Sequence, residues 1–393
     1  MLQALFLCMR YHSYLNSAVA IINAYKGDVP FAIFIKKYFS ANKKYGSKDR
    51  KQIAALCFNF YRLGKAILQL PVEEKIITAV FVCETASNDF LHFHKPEWNE
   101  IITKTVAEKI KIAGFTISDI FPWADELTDG IDFETFTYSF FKQPDLFLRI
   151  RPQKEETVIK KIKEAAIKFE MIADDCIALP NATKLDEVTR LDEEAVVQDY
   201  NSQKVLNYLK TSAYQQPVLV WDCCAASGGK SILAYDILAG KIDLTVSDIR
   251  QSIISNLKER FETAGINNYQ SFIADLSDEN CQLPTTNCQL LICDAPCTGS
   301  GTWSRTPEQL YYFKKKTIEE YVRLQQGIVG NVVPHLEPKG LFIYITCSVF
   351  KKENGGMVNF IKEKFQLQLL QMQLLKGYDK KADSMFVAVF TKQ

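Results

Sequence analysis

One stretch constrains the fold of this chain more than any other. An apolar run of strand length, residues 290–293, leads directly into Asp294-Ala295-Pro296-Cys297-Thr298-Gly299-Ser300-Gly301. The proline ends the strand, because it has no amide hydrogen to give to a sheet. A second apolar run, residues 341–346, ends in Cys347. Ligands of open α/β sheets bind just beyond the carboxyl ends of the strands, so we expect a carboxylate and two thiols to meet there.

Each cysteine could have a structural role instead of a chemical one, since cysteine also packs in protein cores as a small apolar side chain. Two cysteines that each follow a strand, one of them beside Asp294, favour chemistry over packing.

From about residue 195 onward, strand patterns alternate with helical patterns. This alternation predicts an α/β fold with a largely parallel sheet and helices on both faces. The expected strands are Val218–Trp221, Leu244–Val246, Ser271–Ile273, Leu290–Ile292, Leu341–Ile345 and, closing the chain, Met385–Phe390.

The first part of the chain has a different pattern. Residues to about 125 repeat apolar side chains at helical spacing, as in Ile33-Phe34…Tyr38-Phe39. An alternating strand at residues 146–152, a helix near 155–169 and short strands near 174–190 then predict a small α+β insert. We therefore expect an all-α domain over 1–128, a small α+β domain over 129–194 and a catalytic domain over 195–393.

A basic segment lies inside the helical part. Residues 36–51 hold seven lysines and arginines against one acid, Asp49, and include Tyr38, Phe39 and Tyr45. A solvated helix face is one interpretation of this segment. A surface that faces the phosphates of a nucleic acid is the other.

Composition excludes several classes of protein. The 393 residues carry a formal net charge of +1, and 47% of them are hydrophobic, as in ordinary globular proteins. The eleven cysteines include no Cys-x-x-Cys pair and the four histidines form no ligand pattern, so we expect no metal site. Reduced thiols, no basic leader and no apolar run of membrane-spanning length predict a cytoplasmic protein without membrane contact, and we expect a monomer.

The first strand of the last domain leads into a loop of small residues, Cys223-Cys224-Ala225-Ala226-Ser227-Gly228-Gly229-Lys230. Such a loop lets backbone amides approach a ligand at the start of a helix. It is neither a Walker A loop nor a Gly-x-Gly-x-x-Gly loop. Three successive strands are expected to end at Asp222, Asp248 and Asp275, which favours a nucleoside cofactor. Because no second phosphate-binding element follows, S-adenosylmethionine fits better than a dinucleotide.

Three segments resemble hallmark motifs of the RNA cytosine-C5 methyltransferases, in the order and spacing of that family. They are Asp-Cys-Cys-Ala-Ala-Ser-Gly-Gly-Lys, Asp-Ala-Pro-Cys-Thr-Gly-Ser-Gly and Thr-Cys-Ser-Val-Phe-Lys-Lys-Glu-Asn, supported by Trp303–Glu308 and Val197-Gln198-Asp199. The helical N-terminal part is similar to the NusB-like domain of Sun/RsmB-type ribosomal RNA enzymes. Ser227 stands where the family usually has proline, and Glu308 stands where aspartate is commoner.

The resemblance implies a Rossmann-like methyltransferase domain with a mostly parallel sheet and an antiparallel last strand. It also implies methylation of carbon 5 of a cytosine in RNA, with 16S-type small-subunit ribosomal RNA as the expected partner. The spacing of the two cysteines leaves their roles open, and a Pro-Cys nucleophile would be that of the DNA enzymes. The family implies Cys347 as nucleophile and Cys297 as the residue that assists release, with Asp294 at the base. The implied cofactor residues are Cys224, Ala225, Ala226, Ser227, Gly228, Gly229, Lys230, Asp248, Asp275 and Asp294.

Three alternatives stay open at this point. The catalytic domain also suits a transfer RNA substrate. A ribosome-assembly factor with a decayed active site is a second alternative, although the intact Cys297, Cys347, Asp248 and Asp294 argue against it. A DNA methyltransferase is the third, and the Thr-Cys-Ser motif argues against it.

Overall fold

The computed structural model describes residues 2–211, 217–281, 283 and 287–393, with the backbone alone for residues 2–8. The chain forms two compact units. Unit 1 consists of Met1–Asp125, Asp132–Gln143 and Trp303–Lys315. Unit 2 consists of Glu126–Ile131, Pro144–Thr302 and Lys316–Gln393.

Unit 1 is built from helices, as the sequence predicts for residues up to about 125. The apolar face of one helix differs from the expectation, since Phe31, Ile35 and Phe39 are buried whereas Ile33 is 48% exposed. The helices are α1 (Leu2–Ala24), α2 (Phe31–Ala41), α3 (Ser47–Arg62), α4 (Val72–Cys83), α5 (Asp89–His94), α6 (Pro96–Glu100), α7 (Val106–Ile112), α8 (Ile117–Ile120), α9 (Phe133–Ser139) and, from the later segment, α13 (Pro307–Tyr312).

The late segment Trp303–Lys315 belongs to unit 1, although it lies inside the range predicted for the catalytic domain. Buried contacts explain its position. The amide of Phe31 donates to Oε1 of Glu308 at 3.1 Å, and Nη1 of Arg62 donates to the Ser304 carbonyl at 2.9 Å. These partners are far apart in sequence, so the predicted boundaries 1–128, 129–194 and 195–393 do not coincide with the two units.

The small α+β module of unit 2 begins with β1 (Leu146–Ile150), which is followed by α10 (Glu155–Glu164). Its other strands are β2 (Glu170–Ala173), β3 (Cys176–Leu179) and β4 (Ala195–Val197). The four strands form an antiparallel sheet in the order β2-β3-β1-β4. The helix packs Val158 and Ile162 into the core of this module.

The large sheet of unit 2 has the order β10-β11-β9-β8-β5-β6-β7. The four pairings among β5 to β9 are parallel and those of β11 are antiparallel, which confirms a mostly parallel sheet with an antiparallel last strand. The strands are β5 (Val218–Asp222), β6 (Ile242–Asp248), β7 (Tyr269–Ile273), β8 (Cys288–Asp294), β9 (Leu336–Thr346), β10 (Gln368–Leu375) and β11 (Met385–Thr391).

Helices cover both faces of this sheet, as predicted. Alternate residues of the central strand β5 enter two separate cores, Val220 in one and Trp221 in the other. The covering helices are α11 (Gly229–Ile237), α12 (Gln251–Thr263), α14 (Thr317–Val332) and α15 (Met357–Phe365). Strand β10 was not predicted. Along the described chain, no helix is both long and apolar enough to cross a membrane.

Candidate active site

The carboxyl ends of the central parallel strands carry most of the predicted site residues. Strand β5 lies between β6 and β8, and β9 follows β8. Asp222, Asp248 and Asp294 are the last residues of β5, β6 and β8, and Cys347 follows the last residue of β9. Asp275 differs, because β7 ends at Ile273, two residues before it.

The two predicted cysteines lie together. The Sγ atoms of Cys297 and Cys347, called the thiol pair below, are 3.3 Å apart. Backbone hydrogen bonds join the chain segments that carry them, since the Ala295 amide donates to the Ile345 carbonyl at 2.9 Å and the Gly301 amide donates to the Cys347 carbonyl at 2.8 Å. A Cβ atom at Gly301 would lie 2.1 Å from the Ser384 carbonyl oxygen and 2.9 Å from the Cys347 carbonyl oxygen, so only glycine allows the two backbones to lie this close.

The thiol pair is set in a polar but largely enclosed environment. The hydrogen bond with Cys347 raises the pKa of the Cys297 thiol, and burial raises it further. Burial also raises the pKa of the Tyr321 phenol, and electrostatic repulsion from Cys297 and Glu353 raises it further. At neutral pH this environment keeps Cys297 protonated.

Asp294 forms an ion pair with Lys230 at 2.6 Å between Oδ2 and Nζ. The two side chains are 23% and 19% exposed, respectively. Burial opposes the positive charge of Lys230, but Asp294 outweighs it and raises the pKa of the lysine. The ion pair therefore holds a carboxylate in place on the strand that leads to Cys297, and Cys347 also acts electrostatically on Lys230.

The loop over residues 224–230, called the cofactor loop below, has an unusual backbone. Ala226 and Gly228 have φ angles of 46° and 85°, in the left-handed region. A Cβ atom at Gly228 would lie 2.6 Å from the ring of Phe261, so glycine is required there. At Gly229, where α11 begins, no atom lies within 4 Å of a Cβ position. The loop thus leaves open space at a helix N-terminus, the arrangement that suits a bound ligand.

The other residues of the cofactor loop are held from its flanks. The Ala225 amide donates to the Ser247 carbonyl at 2.9 Å, and the Ala226 amide donates to Oδ2 of Asp248 at 3.2 Å. Ser227 accepts hydrogen bonds from Arg260. Strand β6 and helix α12 therefore hold the cofactor loop in place through contacts that the sequence did not predict.

The three aspartates that the sequence predicted at strand ends have different surroundings. Asp222 is fully buried, and its Oδ1 has no hydrogen-bond partner among the described residues. Asp248 accepts hydrogen bonds from Arg250, which lies two residues further on. Asp275 is exposed and accepts from the amide and hydroxyl of Ser277 at 3.0 and 2.6 Å, as in a capped turn.

Three further thiols meet beside the cofactor loop. The Sγ atoms of Cys223, Cys224 and Cys293 all lie within 4.8 Å of one another. Cys223 and Cys293 are buried in the core on one face of the sheet, and burial raises the pKa of the Cys223 thiol. Sequence reasoning did not group these cysteines, because adjacent strands rather than sequence spacing bring Cys293 to the other two.

A buried carboxylate behind the thiol pair was also missed. Glu353 is fully buried and accepts hydrogen bonds from residues that directly follow the two cysteines, Thr298 and Ser348. The Thr-Cys-Ser…Glu-Asn segment contained this residue, but nothing in its spacing revealed the contact with Thr298.

Comparison with known proteins gives three kinds of match. Residues 209–390 match the sequence model of the family described as 16S rRNA methyltransferase RsmB/F. The chain is 29% identical over 167 residues to ribosomal RNA small subunit methyltransferase B of Enterobacter, which covers 41% of this chain and 37% of that protein. It is 24% identical over 233 residues to the probable enzyme of that name of Synechocystis, covering 57% and 51%. The matched segments thus span between about a third and a half of these relatives' length.

Solved structures agree on the fold. The crystal structure of PH0851 covers 95% of this chain and 97% of its own at a TM-score of 0.68 and 16% identity. NSun6 from Pyrococcus horikoshii, solved with SFG, covers 70% and 96% at a TM-score of 0.57 and 13% identity. A methyltransferase homologue from the same organism covers 73% and 98% at 0.58 and 17%.

Proposed function

We propose that this chain methylates carbon 5 of a cytosine in RNA with S-adenosylmethionine, a reaction supported by the match of residues 209–390 to the RsmB/F methyltransferase family model. The observation that carries the proposal is the thiol pair, with 3.3 Å between the sulfurs of Cys297 and Cys347 at the ends of adjacent parallel strands. This arrangement suits a reaction that needs one thiol to attack and another group to assist release.

Carbon 5 of cytosine is too weak a nucleophile to take a methyl group unaided. Addition of a thiolate to carbon 6 turns carbon 5 into an enamine carbon, so that one hard step becomes two easier ones. Carbon 5 then takes the methyl group as the S–CH₃ bond of the sulfonium donor breaks, which would leave a neutral thioether. The C5 proton leaves to a base, and elimination of the thiolate restores the C5–C6 double bond. Thiolates are the side-chain nucleophiles best suited to this addition near neutral pH.

We assign the attack to Cys347 and the assistance to Cys297. The family resemblance supports this assignment. The hydrogen bond with Cys347 raises the pKa of Cys297 when Cys347 is the ionised partner, which is consistent with the assignment, and burial also raises the pKa of Cys297. A protonated thiol is suited to proton exchange during release.

Asp294 would bind the cytosine edge near N3 and N4. Asp294 is the last residue of β8, three residues before Cys297, and Lys230 fixes its orientation through the 2.6 Å ion pair. A carboxylate held in place before the substrate arrives stabilises charge that develops on the ring without first having to reorganise.

The cofactor loop fits the proposed methyl donor. Left-handed Gly228 and the open space at Gly229 leave room for a ligand at the N-terminus of α11. Asp248 would accept from the ribose hydroxyls, and Asp275 would lie near the adenine edge. When bound, S-adenosylmethionine supplies an electrophilic methyl group on a sulfonium. The SFG bound by NSun6 is an analogue of that cofactor.

RNA is the proposed substrate class because of the family resemblance and the matching family model. Since a thiol must approach the face of the ring, the target cytosine must be unstacked. Unit 1 would bind the RNA backbone. Lys36, Lys37, Lys43 and Lys44 are exposed there, and Phe39 is buried, so charge rather than aromatic stacking dominates this surface. The names of the curated relatives support small-subunit ribosomal RNA. A NusB-like fold for unit 1 is part of this proposal.

A methylation assay tests the reaction class and the substrate together. The purified chain is incubated with S-adenosylmethionine and either protein-free 16S-type ribosomal RNA or bulk transfer RNA, and the nucleosides are separated by mass spectrometry. We expect 5-methylcytosine in the ribosomal RNA alone, and none with Cys347→Ser. Methylation of transfer RNA would change the substrate. Cofactor binding without methylation of either RNA would favour a non-catalytic assembly factor.

A further inference from the structure

The residues around Glu353 connect the two halves of the thiol pair. Its Oε1 accepts from the Thr298 amide at 2.9 Å and from Nε2 of Gln325 at 3.0 Å. Its Oε2 accepts from the Thr298 hydroxyl at 2.6 Å and from the Ser348 hydroxyl. Thr298 follows Cys297 and Ser348 follows Cys347, so one carboxylate binds the residues next to both cysteines.

The partners of Glu353 determine which side chain can occupy its place. The Thr298 amide and Nε2 of Gln325 can only donate, so they need an acceptor at Oε1. The two hydroxyls donate to Oε2 of the carboxylate but can also accept. A glutamine that keeps its oxygen at the first position would turn its NH₂ group toward these hydroxyls, so that both would have to accept from a neutral amide instead of donating to a carboxylate. Gln325 also donates to the Pro296 carbonyl at 3.0 Å, which fixes the residue before Cys297.

Neighbouring Asn354 fixes the other cysteine in the same way. Its Oδ1 accepts from the Thr346 hydroxyl at 2.6 Å, and its Nδ2 donates to the Ser348 carbonyl at 2.9 Å. The residues on both sides of Cys347 are therefore held by the segment that carries Glu353.

An acid in this position is costly. The carboxylate of Glu353 is desolvated, because the side chain is fully buried. Among the described ion pairs, none joins it to a lysine or arginine. Burial raises the pKa of Glu353, while the bonds from Ser348 and Thr298 oppose that rise. A buried acid without an opposite charge is unfavourable for stability alone, which points to a role at the site.

We propose that Glu353 is a positioning residue that sets the spacing of Cys297 and Cys347 by binding Thr298 and Ser348 at once. The reactive consequence rests on the proposed function, since it matters only if both thiols act on one base. The spacing itself does not depend on that function and is measurable without substrate.

The test measures how strongly the two thiols are held together. The protein is equilibrated with mixtures of reduced and oxidised glutathione, in which two protein thiols and one glutathione disulfide give one protein disulfide and two glutathione thiols. The fraction of the Cys297–Cys347 disulfide is read by peptide mass spectrometry, and the equilibrium constant gives the effective concentration of the pair. Glu353→Gln should lower it by about tenfold or more, as expected for the loss of a buried hydrogen bond.

Glu194→Gln is the matched control. Glu194 is also a buried carboxylate of unit 2, and it accepts from Lys161, Thr189 and Arg190 in the small α+β module. The Glu194→Gln substitution should leave the effective concentration of the thiol pair unchanged, even if it lowers the melting temperature as much as Glu353→Gln does.

Thr298→Val and Ser348→Ala keep the proposal testable if Glu353→Gln does not fold. Each should lower the effective concentration, and each removes only one hydroxyl donor. An unchanged effective concentration in both variants, or in Glu353→Gln, would overturn the proposal. A lowered value in a protein that does not methylate RNA would uphold the positioning role and reject the proposed function. If the unaltered protein methylates RNA, Glu353→Gln should lower kcat and leave the affinity for S-adenosylmethionine unchanged.

Discussion

Arg260 contacts Ser227 through both of the serine's oxygens, its Nη1 donating to the carbonyl at 2.8 Å and to the hydroxyl at 2.9 Å. Asp192 fixes the other side of the guanidinium, with contacts of 2.8 and 2.6 Å to Nε and Nη2. Ser227 stands at a position where the RNA cytosine-C5 methyltransferases, which this chain resembles, usually have proline. The cofactor loop of this chain is therefore restrained by a charged side chain at a position where a proline ring would limit the backbone.

Arg260→Gln should weaken the binding of S-adenosylmethionine by about tenfold, because it removes two charge-assisted hydrogen bonds from the cofactor loop. Ser227→Ala should have a smaller effect, since the carbonyl contact remains. Isothermal titration calorimetry measures both. Arg190→Gln is the control, because the Arg190 side chain forms an exposed ion pair with Glu193, and its contact with Glu194 comes from the backbone amide, which the substitution keeps. Equal affinities for Arg260→Gln and the unaltered protein would show that the loop needs no such restraint.

Asp222→Asn should change how stability depends on pH. Burial raises the pKa of Asp222 from 3.8 to about 7. Between these values the folded state holds a proton that the unfolded state has lost, so the contribution of Asp222 to stability falls as pH rises from about 4 to about 7. Asparagine has no such titration. The stability of the variant relative to the unaltered protein should rise by about 1.4 kcal/mol per pH unit across this window.

Urea unfolding at several pH values measures that difference. Asparagine keeps an acceptor for the Ser231 hydroxyl, which lies 2.6 Å from Oδ2 of Asp222. A difference in stability that stays constant from pH 4 to pH 7 would mean that Asp222 is ionised in the folded protein.

Lys230→Met should lower the rate of methyl transfer by about tenfold or more, because Asp294 loses the partner that fixes it at 2.6 Å and leaves a carboxylate partly buried without its cation. Single-turnover kinetics with saturating RNA separates this effect from RNA binding. Lys241→Met is the control, since Lys241 is exposed and precedes β6 at the opposite end of the sheet from the site. An unchanged rate in Lys230→Met would remove Asp294 from the proposed chemistry.

Neutralising Lys43 and Lys44 should weaken RNA binding and its dependence on salt. Each lysine that contacts a phosphate contributes about 0.7–0.9 to the slope of log K against log salt concentration. Both side chains are exposed on unit 1, so the double Gln variant should lower the slope by about one to two. Filter binding from 50 to about 200 mM salt measures it. An unaltered slope would place the RNA elsewhere.

Sequence reasoning found the parts of the site that depend on strand ends. The apolar runs before Asp222, Asp248, Asp294 and Cys347 mark where strands stop, and the sheet order brings those ends together. The sequence predicted that a strand ends at Asp275, but β7 ends two residues earlier, at Ile273. Whether Asp275 binds a cofactor stays a prediction.

The parts that were missed depend on contacts between distant residues. Gln368–Leu375 was not predicted as a strand, because polar and apolar residues mix in it and most of its side chains are not buried. The segment from Trp303 joins unit 1 through Glu308 and Ser304, whose partners lie more than two hundred residues away. No local pattern carries that information.

The measurement that tests the central claim most directly uses Cys297→Ala with S-adenosylmethionine and 16S-type ribosomal RNA. If Cys347 attacks carbon 6 and Cys297 assists release, this variant should accumulate a protein–RNA adduct that resists denaturants, and Cys347→Ala should form none. Gel electrophoresis in detergent detects the adduct, and sequencing its RNA locates the cytosine. An adduct on Cys347→Ala would reverse the two roles. No adduct from either variant, with normal cofactor binding, would contradict the covalent mechanism.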